Sequence, residues 1–311
     1  MIEDQSSFRR LVSELRRHWR WGREQGLGRL IEEDELHPLA HLRRSLSSWQ
    51  WRRNHPVPAG SARAVFLLGV QRSGTNMIVR GIETCPEVEV HNENDRRAFE
   101  RYRLRSNDVI RSIVETSRHR IVLFKPLCDS HRAPQLLDDL QLSVQPRAIW
   151  AYRSVDGRVR SAVAKFGDAN RRVLAEIATG AGLHRWQAQG LTTGLRELIQ
   201  SYDYSTLSPE SASALFWYVR NSLFFELGLD TRRDVLLTSY DDFISAPHVA
   251  DLQLREFLGV SSEGIVTDMV DRSRHPDRQS AVEIEPSIRR LCDDLHARVE
   301  LVLRRAGQAR G

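Results

Sequence analysis

The chain has 311 residues, of which 41% are hydrophobic, so it can bury the core of one large domain or two modest ones. Its formal net charge of +5 suits an anionic cofactor or an acidic substrate, and no recognisable nucleic-acid-binding module accompanies the charge, which argues against nucleic acid as a partner. Three scattered cysteines favour neither a disulfide framework nor a metal site, and neither a membrane-spanning stretch nor an apolar signal segment is recognisable, so we expect a cytoplasmic protein.

Residues 1–62 are predicted to form a helical extension that precedes the main domain. Apolar residues recur at helical spacing from Phe8 to Trp19, with arginines on the opposite face. A second helix is expected over 37–51, and a proline-containing linker follows at 56–61. The two helices either cap the core or use the basic face to contact a membrane surface or a partner.

Residues 63–311 are predicted to form the main domain, because short apolar runs alternate there with helical segments. Strands are expected at 64–69, 121–124, 147–152 and 235–239. Helices are expected at 74–84, 106–118, 132–140, 155–166, 209–228, 247–258 and 285–306. This alternation indicates an α/β fold with a parallel central sheet flanked by helices, in which ligands bind at the carboxyl edge of the sheet.

The turn from Gly69 to Asn76 predicts an anion site. It joins the first strand to a helix, so backbone N–H groups and a helix N-terminus converge on one point. The glycine spacing is that of an NTP-binding P-loop, but Thr75 and Asn76 stand where the lysine and the magnesium-binding Ser/Thr should be. The cation is Arg72, within the turn. We therefore expect a phosphate group to be held without a metal.

A second anion-binding subsite is predicted after the strand at 147–152. Arg153 ends this strand, and Ser161 follows eight residues later within the helix behind it, with Asp156 between them. Parallel strands carry such residues to one edge of the sheet, so Arg153 and Ser161 should lie beside the first turn. An isolated surface arginine and a helix serine would give the same local pattern, and it is the combination with the first motif that favours a binding site.

Together the two motifs resemble the 5′-phosphosulfate loop and the 3′-phosphate clamp of the sulfotransferases that use 3′-phosphoadenosine 5′-phosphosulfate (PAPS). The resemblance extends over about 63–275 and is closer to the bacterial and tyrosylprotein enzymes than to the cytosolic phenol and steroid enzymes. It implies a P-loop NTPase-like sulfotransferase fold and PAPS as co-substrate without a metal. The donor-binding residues that it implies are Arg72, Ser73, Gly74, Thr75, Asn76, Arg153, Ser161 and Tyr240. For Tyr240, a buried strand tyrosine bonded to the backbone is the alternative.

The resemblance also suggests the catalytic groups. Lys125, directly after the strand at 121–124, resembles the lysine that contacts the sulfuryl or bridging oxygen in the family, and Arg72 supplies a second cation there. Leu127 occupies the position of the catalytic histidine of the cytosolic enzymes, so the base has to be another residue. Glu93 lies near the offset of the catalytic glutamate of the tyrosylprotein enzymes, whereas His131 is the alternative base.

Two further alternatives remain open at this point. In the first, Glu93 serves only as an ion-pair partner of Arg96 or Arg97. The chain as a whole could also be a P-loop small-molecule kinase, which would require magnesium, or a non-catalytic nucleotide- or polyanion-binding module on the same fold. As a sulfotransferase it would release PAP and sulfate a hydroxyl of a glycan, lipid, phenolic metabolite or peptide tyrosine. Acceptor contacts are expected in 95–108 and in 167–208, the latter a predicted lid.

Overall fold

The computed structural model describes residues 38–261 and 280–308. The predicted basic helix between Phe8 and Trp19 lies outside these residues, as does the end of the stretch over which the sequence resembles the sulfotransferases. The chain divides into two compact units, and the boundary between them in the sequence lies between Gln50 and Trp51. The first described helix, α1 (Pro38–Asn54), includes this position. The predicted division at residues 62 and 63 stays a prediction.

The centre of the second unit is a parallel sheet of five strands in the order β2-β5-β1-β6-β7. Its strands are β1 (Arg63–Gly69), β2 (Val88–His91), β5 (Ile121–Phe124), β6 (Arg147–Tyr152) and β7 (Val235–Ser239), and a separate small hairpin consists of β3 (Phe99–Glu100) and β4 (Arg103–Leu104). The inner strands β1, β5 and β6 are almost continuously buried, as expected for strands that helices cover on both faces. The predicted α/β fold class and the four predicted strands are confirmed.

Helices follow the strands with the expected alternation. They are α2 (Thr75–Ile82), α3 (Asn107–Thr116), α4 (Ala133–Asp138), α5 (Val155–Phe166), α6 (Ala169–Ala178), α7 (Thr193–Gln200), α8 (Pro209–Glu226), α9 (Tyr240–Ser245), α10 (Pro247–Leu258) and α11 (Pro286–Gln308). Short 3₁₀ turns add Leu127–Arg132, Trp186–Ala188 and Leu229–Thr231. The segment 167–208 thus contains two helices, α6 and α7, joined through a 3₁₀ turn.

The sheet separates two hydrophobic clusters, because successive side chains of a strand point to opposite faces. Phe66 and Leu68 of β1 belong to one cluster, which also contains the buried residues of α8 and α11. Val65 and Leu67 belong to the other, which contains those of α2 and α10. Both faces of the sheet are therefore packed against helices, and the carboxyl ends of its parallel strands lie along one edge.

Candidate functional site

The predicted phosphate loop is a tight turn between β1 and α2. Gly69 has φ +120°, and a Cβ on it would lie 2.4 Å from the carbonyl oxygen of Ala151 in β6, so the loop leaves the sheet where only glycine fits. The backbone N–H of Gly69 donates to Ser130 Oγ at 3.0 Å. Gly74, with φ +86°, directly precedes the first residue of α2. The loop consequently ends at a helix N-terminus, which is the geometry of an anion site.

Arg72 joins the two predicted anion-binding subsites. Its Nε donates a hydrogen bond to Ser161 Oγ at 3.0 Å, across 89 residues of sequence. Arg153 Nη1 in turn donates to the carbonyl oxygen of Arg72 at 3.4 Å. Arg72 has φ +72°, an uncommon conformation for a residue with a side chain. The structure thus brings the first motif and the second motif together, as the sequence predicts.

Tyr240 packs between these groups. It is the first residue of α9 and follows β7, so it is not the strand tyrosine of the alternative interpretation. The guanidinium of Arg153 lies over its ring, 4.3 Å from the ring centroid, and a Cβ on Gly74 would be 2.4 Å from Tyr240 Cδ2. The ring therefore fills the space between the end of the phosphate loop and the buried Arg153, with Tyr240 itself only 7% exposed.

The neighbouring residue, Asp241, was not predicted from the sequence to belong to the site. Its Oδ2 accepts the backbone N–H of Ser154 at 2.7 Å, and its Oδ1 accepts the Ser154 hydroxyl at 3.3 Å. Ser154 is the residue between Arg153 and α5, so Asp241 ties the start of α5 to α9. A carboxylate in the first turn after β7 was the available signal, but its partner is 87 residues away.

Lys125 and Glu93 meet because their strands are adjacent. Lys125 follows β5, Glu93 lies two residues beyond β2, and β2 pairs with β5 in parallel so that His91 is opposite Phe124. Lys125 Nζ donates to Asn76 Oδ1 at 2.7 Å and lies 3.7 Å from Glu93 Oε2. This arrangement joins the helix after the phosphate loop to two of the three predicted catalytic side chains, Lys125 and Glu93.

Glu93 has the electrostatic character of a base in a partly closed site. Burial raises the pKa of its carboxyl above the usual range, and the positive charge of Lys125 acts in the opposite direction. Its Oε1 is buried and accepts no hydrogen bond from the described residues. Arg97, one of the two alternative partners, pairs instead with Asp95 and Glu89. A desolvated carboxylate with an unused oxygen is suited to accepting a proton.

The segment that carries Glu93 is held by a second group that the sequence analysis missed. His91, which is fully buried and stacks on Phe124, places Nδ1 2.8 Å from Asp95 Oδ2. Asp95 also accepts the backbone N–H of Arg97 at 2.9 Å. The contact between His91, the last residue of β2, and Asp95 therefore closes the turn that carries Glu93.

His131, the alternative base, occupies a different environment. It belongs to the 3₁₀ turn Leu127–Arg132, and its Cβ lies 2.4 Å from where a Cβ on Gly190 would be. Burial, together with the positive charge of Arg220, lowers the pKa of its imidazole to about 4. Its buried Nδ1 bonds to no described residue. An imidazole this acidic is a weak base near neutral pH.

Asp156 has a structural partner on the C-terminal side of the domain. Its carboxylate accepts hydrogen bonds from Arg289 at 2.8 and 3.0 Å and from the backbone N–H of Val282 at 2.7 Å. Asp156 thus joins the start of α5 to the chain before α11. Within 38–261 and 280–308, no group of three or more His, Cys, Asp or Glu side chains is arranged to hold a metal ion, and no helix there has the length and apolarity to cross a membrane.

Comparison with solved structures finds several sulfotransferases among the chains that this one is similar to. A sulfotransferase from Alicyclobacillus acidocaldarius is 16% identical with a TM-score of 0.42, and the match covers 80% of this chain and 95% of that one. The sulfotransferase domain of the curacin biosynthetic pathway is 13% identical with a TM-score of 0.44, covering 78% and 99%. Mouse sulfotransferase SULT7A1, complexed with PAP, is 11% identical with a TM-score of 0.35, covering 78% and 74%.

No protein-family model and no curated protein matches the chain. The three solved structures are only 11–16% identical to this chain, so they assign no role to a single residue. The roles of Arg72, Arg153, Ser161, Lys125 and Glu93 therefore stay predictions, and the case for an activity depends on the site itself.

Proposed function

We propose that this protein is a sulfotransferase that moves the sulfuryl group of PAPS to a hydroxyl and releases PAP. The observation that carries the proposal is the hydrogen bond from Arg72 to Ser161, because it joins a P-loop-like turn to a second cationic subsite at Arg153. Two adjacent anion-binding subsites suit a nucleotide that carries phosphate at both its 5′ and its 3′ position. The buried Ser73 hydroxyl, which bonds to no described residue, is a further donor for the 5′ group.

The same loop argues against a kinase. A P-loop kinase uses a lysine and a Ser/Thr that binds magnesium at the end of this turn. Here the corresponding residues are Thr75 and Asn76, and the side-chain oxygen of Asn76 accepts a hydrogen bond from Lys125. A leaving group stabilised by fixed cations, without a metal, is consistent with PAP.

In the proposed reaction, the acceptor oxygen forms a bond to the sulfur of PAPS while the bond from sulfur to the 5′-phosphate oxygen breaks. PAP leaves with that electron pair, and the acceptor's proton passes to the carboxylate of Glu93. Lys125 and Arg72 stabilise the negative charge on the transferring group and on the departing oxygen. The raised pKa of Glu93 makes it a stronger base than an exposed carboxylate.

The acceptor is proposed to bind beside Glu93, between the segments 95–108 and 167–208. These segments are joined, since Arg103 Nη2 donates to Gln189 Oε1 at 2.7 Å. Arg103 also pairs with the buried Asp129 at 2.7 Å, just beyond Lys125 in the chain. The hydroxyl can belong to a glycan, a lipid, a phenolic metabolite or a peptide tyrosine. A reducing cytoplasm is the proposed location, in keeping with three buried cysteines that form no disulfide.

Thermal unfolding with and without ligand tests the donor assignment. PAP should raise the melting temperature without divalent metal, and at about 100 times its Kd it should add about 2.7 kcal/mol of stability. Arg153→Ala is the matched control and should lose most of this effect. Equal or greater stabilisation by Mg-ATP would contradict the proposal in favour of a kinase.

Turnover is tested separately with labelled PAPS and a library of hydroxyl acceptors. Transfer of label to any of them supports an enzyme. Binding of PAP without transfer to any acceptor class would instead favour a non-catalytic nucleotide-binding module.

A further inference from the structure

Arg158 is a charged side chain that no step of the proposed reaction uses, yet it is fully buried behind the phosphate loop. It lies in α5 and donates from Nη1 to both the carbonyl oxygen and the hydroxyl of Ser213, at 2.9 and 2.8 Å. Its guanidinium lies 5.1 Å from the ring centroid of Phe216. These contacts to α8 leave one edge of the guanidinium for the loop.

That edge reaches the loop itself. Arg158 Nε donates to the carbonyl oxygen of Gln71 at 3.3 Å. The next carbonyl, that of Arg72, accepts from Arg153 at 3.4 Å. In a trans peptide the N–H points away from the carbonyl oxygen of the same unit. Arg158 therefore turns the N–H group of Arg72 away from itself, as an anion-binding nest requires.

The charge of Arg158 is not compensated by the described residues. No described carboxylate pairs with it, and its buried Nη2 bonds to none of the described residues. Burial lowers the pKa of its guanidinium to about 9, and the positive charge of Arg72 acts in the same direction. Buried charges are ordinarily paired, because an isolated one loses its hydration without a replacement. An anion bound in front of the loop would supply the missing negative charge.

The backbone also requires a restraint at this point. Arg72 adopts φ +72°, a conformation that disfavours a residue with a Cβ, and such conformations persist only when surrounding contacts hold them. The bond from Arg158 to Gln71 acts on the peptide unit directly before Arg72. It is therefore placed to hold the conformation that aims the Arg72 side chain at Ser161.

We propose that Arg158 is a positioning residue of the donor site, which fixes the Gln71–Arg72 peptide and adds a buried positive charge behind the nucleotide's 5′ group. The proposal rests on the proposed function, because the anion in question is that of PAPS or PAP. It differs from the predicted role of Arg153 and Ser161, which concerns the 3′-phosphate.

Calorimetric titration with PAP tests the assignment on the full chain. Arg158→Gln removes both the charge and the planar guanidinium with its several N–H donors, and it should weaken PAP binding at least tenfold. Arg158→Lys keeps the charge and should recover part of that loss. The matched control is Arg220→Gln. Arg220 is also buried, donates to the carbonyls of Gln187 and Gln189, and lies over the ring of Trp186, but it does not contact the loop. It should lower the melting temperature and leave the Kd for PAP within twofold.

A second measurement separates positioning from general loosening. Arg158→Gln should weaken PAPS and adenosine 5′-phosphosulfate by the same factor, because it acts on the 5′ loop that both ligands share. The assignment is overturned if PAP affinity stays within twofold in Arg158→Gln, or if the control at Arg220 weakens PAP equally. If Arg158→Gln does not fold, Arg158→Lys decides by the same criterion. Failure of the unsubstituted protein to bind PAP overturns the proposed function and the assignment together.

Discussion

Replacing Gly74 by alanine should show whether the ring of Tyr240 is held against the phosphate loop. The new Cβ would lie 2.4 Å from Tyr240 Cδ2, whereas carbon atoms in contact are about 3.5–4.0 Å apart, so the ring has to retreat by roughly 1 Å. Such overpacking typically costs about 1–3 kcal/mol. The positive φ of +86° adds about 1–2 kcal/mol for any residue with a Cβ.

Gly180 offers a matched control for the backbone contribution. Its φ of +83° is nearly the same, but a Cβ there meets no atom within 4 Å. Gly180→Ala should therefore cost only the conformational part, about 1–2 kcal/mol, and Gly74→Ala should cost about 1–3 kcal/mol more. Urea denaturation of both variants measures the two free energies of unfolding and gives their difference directly.

The same substitution should affect the ligand. Moving the Tyr240 ring disturbs the guanidinium of Arg153, which lies 4.3 Å from its centroid, so PAP affinity should fall about tenfold, or 1.4 kcal/mol, in Gly74→Ala. Gly180→Ala should bind PAP normally. In a double-mutant cycle, Tyr240→Ala should relieve the clash and give a coupling energy of about 1–3 kcal/mol. Equal costs at the two glycines, or simple additivity in the cycle, would refute the packing described for this loop.

Four further predictions concern the charged residues. Glu93→Gln should slow turnover about a hundredfold to ten-thousandfold while PAP still binds, because the amide cannot accept a proton; if His131→Ala removes activity instead, the base is the histidine. The pKa of Glu93 is raised in the folded protein. The contribution of Glu93 to the free energy of unfolding is therefore fully present below the ordinary carboxylate range and is lost as the pH rises through the raised pKa. Glu93→Gln should therefore raise the melting temperature above that range and leave it unchanged below, and the same shift at all pH values would disprove the link to ionisation. Arg153→Ala and Ser161→Ala should weaken PAPS, at least tenfold for the arginine, and spare adenosine 5′-phosphosulfate in competition titrations; equal weakening of both donors would mean that these residues support the fold alone. Lys125→Ala should lower kcat more than donor affinity in steady-state kinetics, and an unchanged kcat would remove Lys125 from the reaction.

Much of the fold was predictable because its signals are local. The strand at 64–69 and the one at 147–152 are continuous apolar runs, which is what a strand covered on both faces requires. The strand β2 was missed. Val88–His91 is a four-residue edge strand whose first and last residues are buried and whose two middle residues are only half-buried. So short a segment lacks the periodicity that identifies longer strands. Its parallel pairing with β5 is what carries Glu93 to Lys125.

The sequence by itself determined the two motifs at the donor site. A glycine-bounded turn after a strand, and an arginine eight residues before a serine, are patterns set by the backbone at close spacing, and parallel strands necessarily bring their carboxyl ends to one edge. Arg72 and Ser161 could be assigned to one site on that ground before any contact was known.

Only the tertiary structure decided which charges are buried and with what they pair. Arg158 and Arg160 stand two residues apart in the same helix and look alike in sequence, yet packing against α8 buries the first completely and leaves the second half-buried. The bond of Lys125 to Asn76 spans 49 residues and that of Asp241 to Ser154 spans 87. Burial and long-range pairing depend on how distant segments pack, and a pKa follows from that packing, so no local pattern contains them.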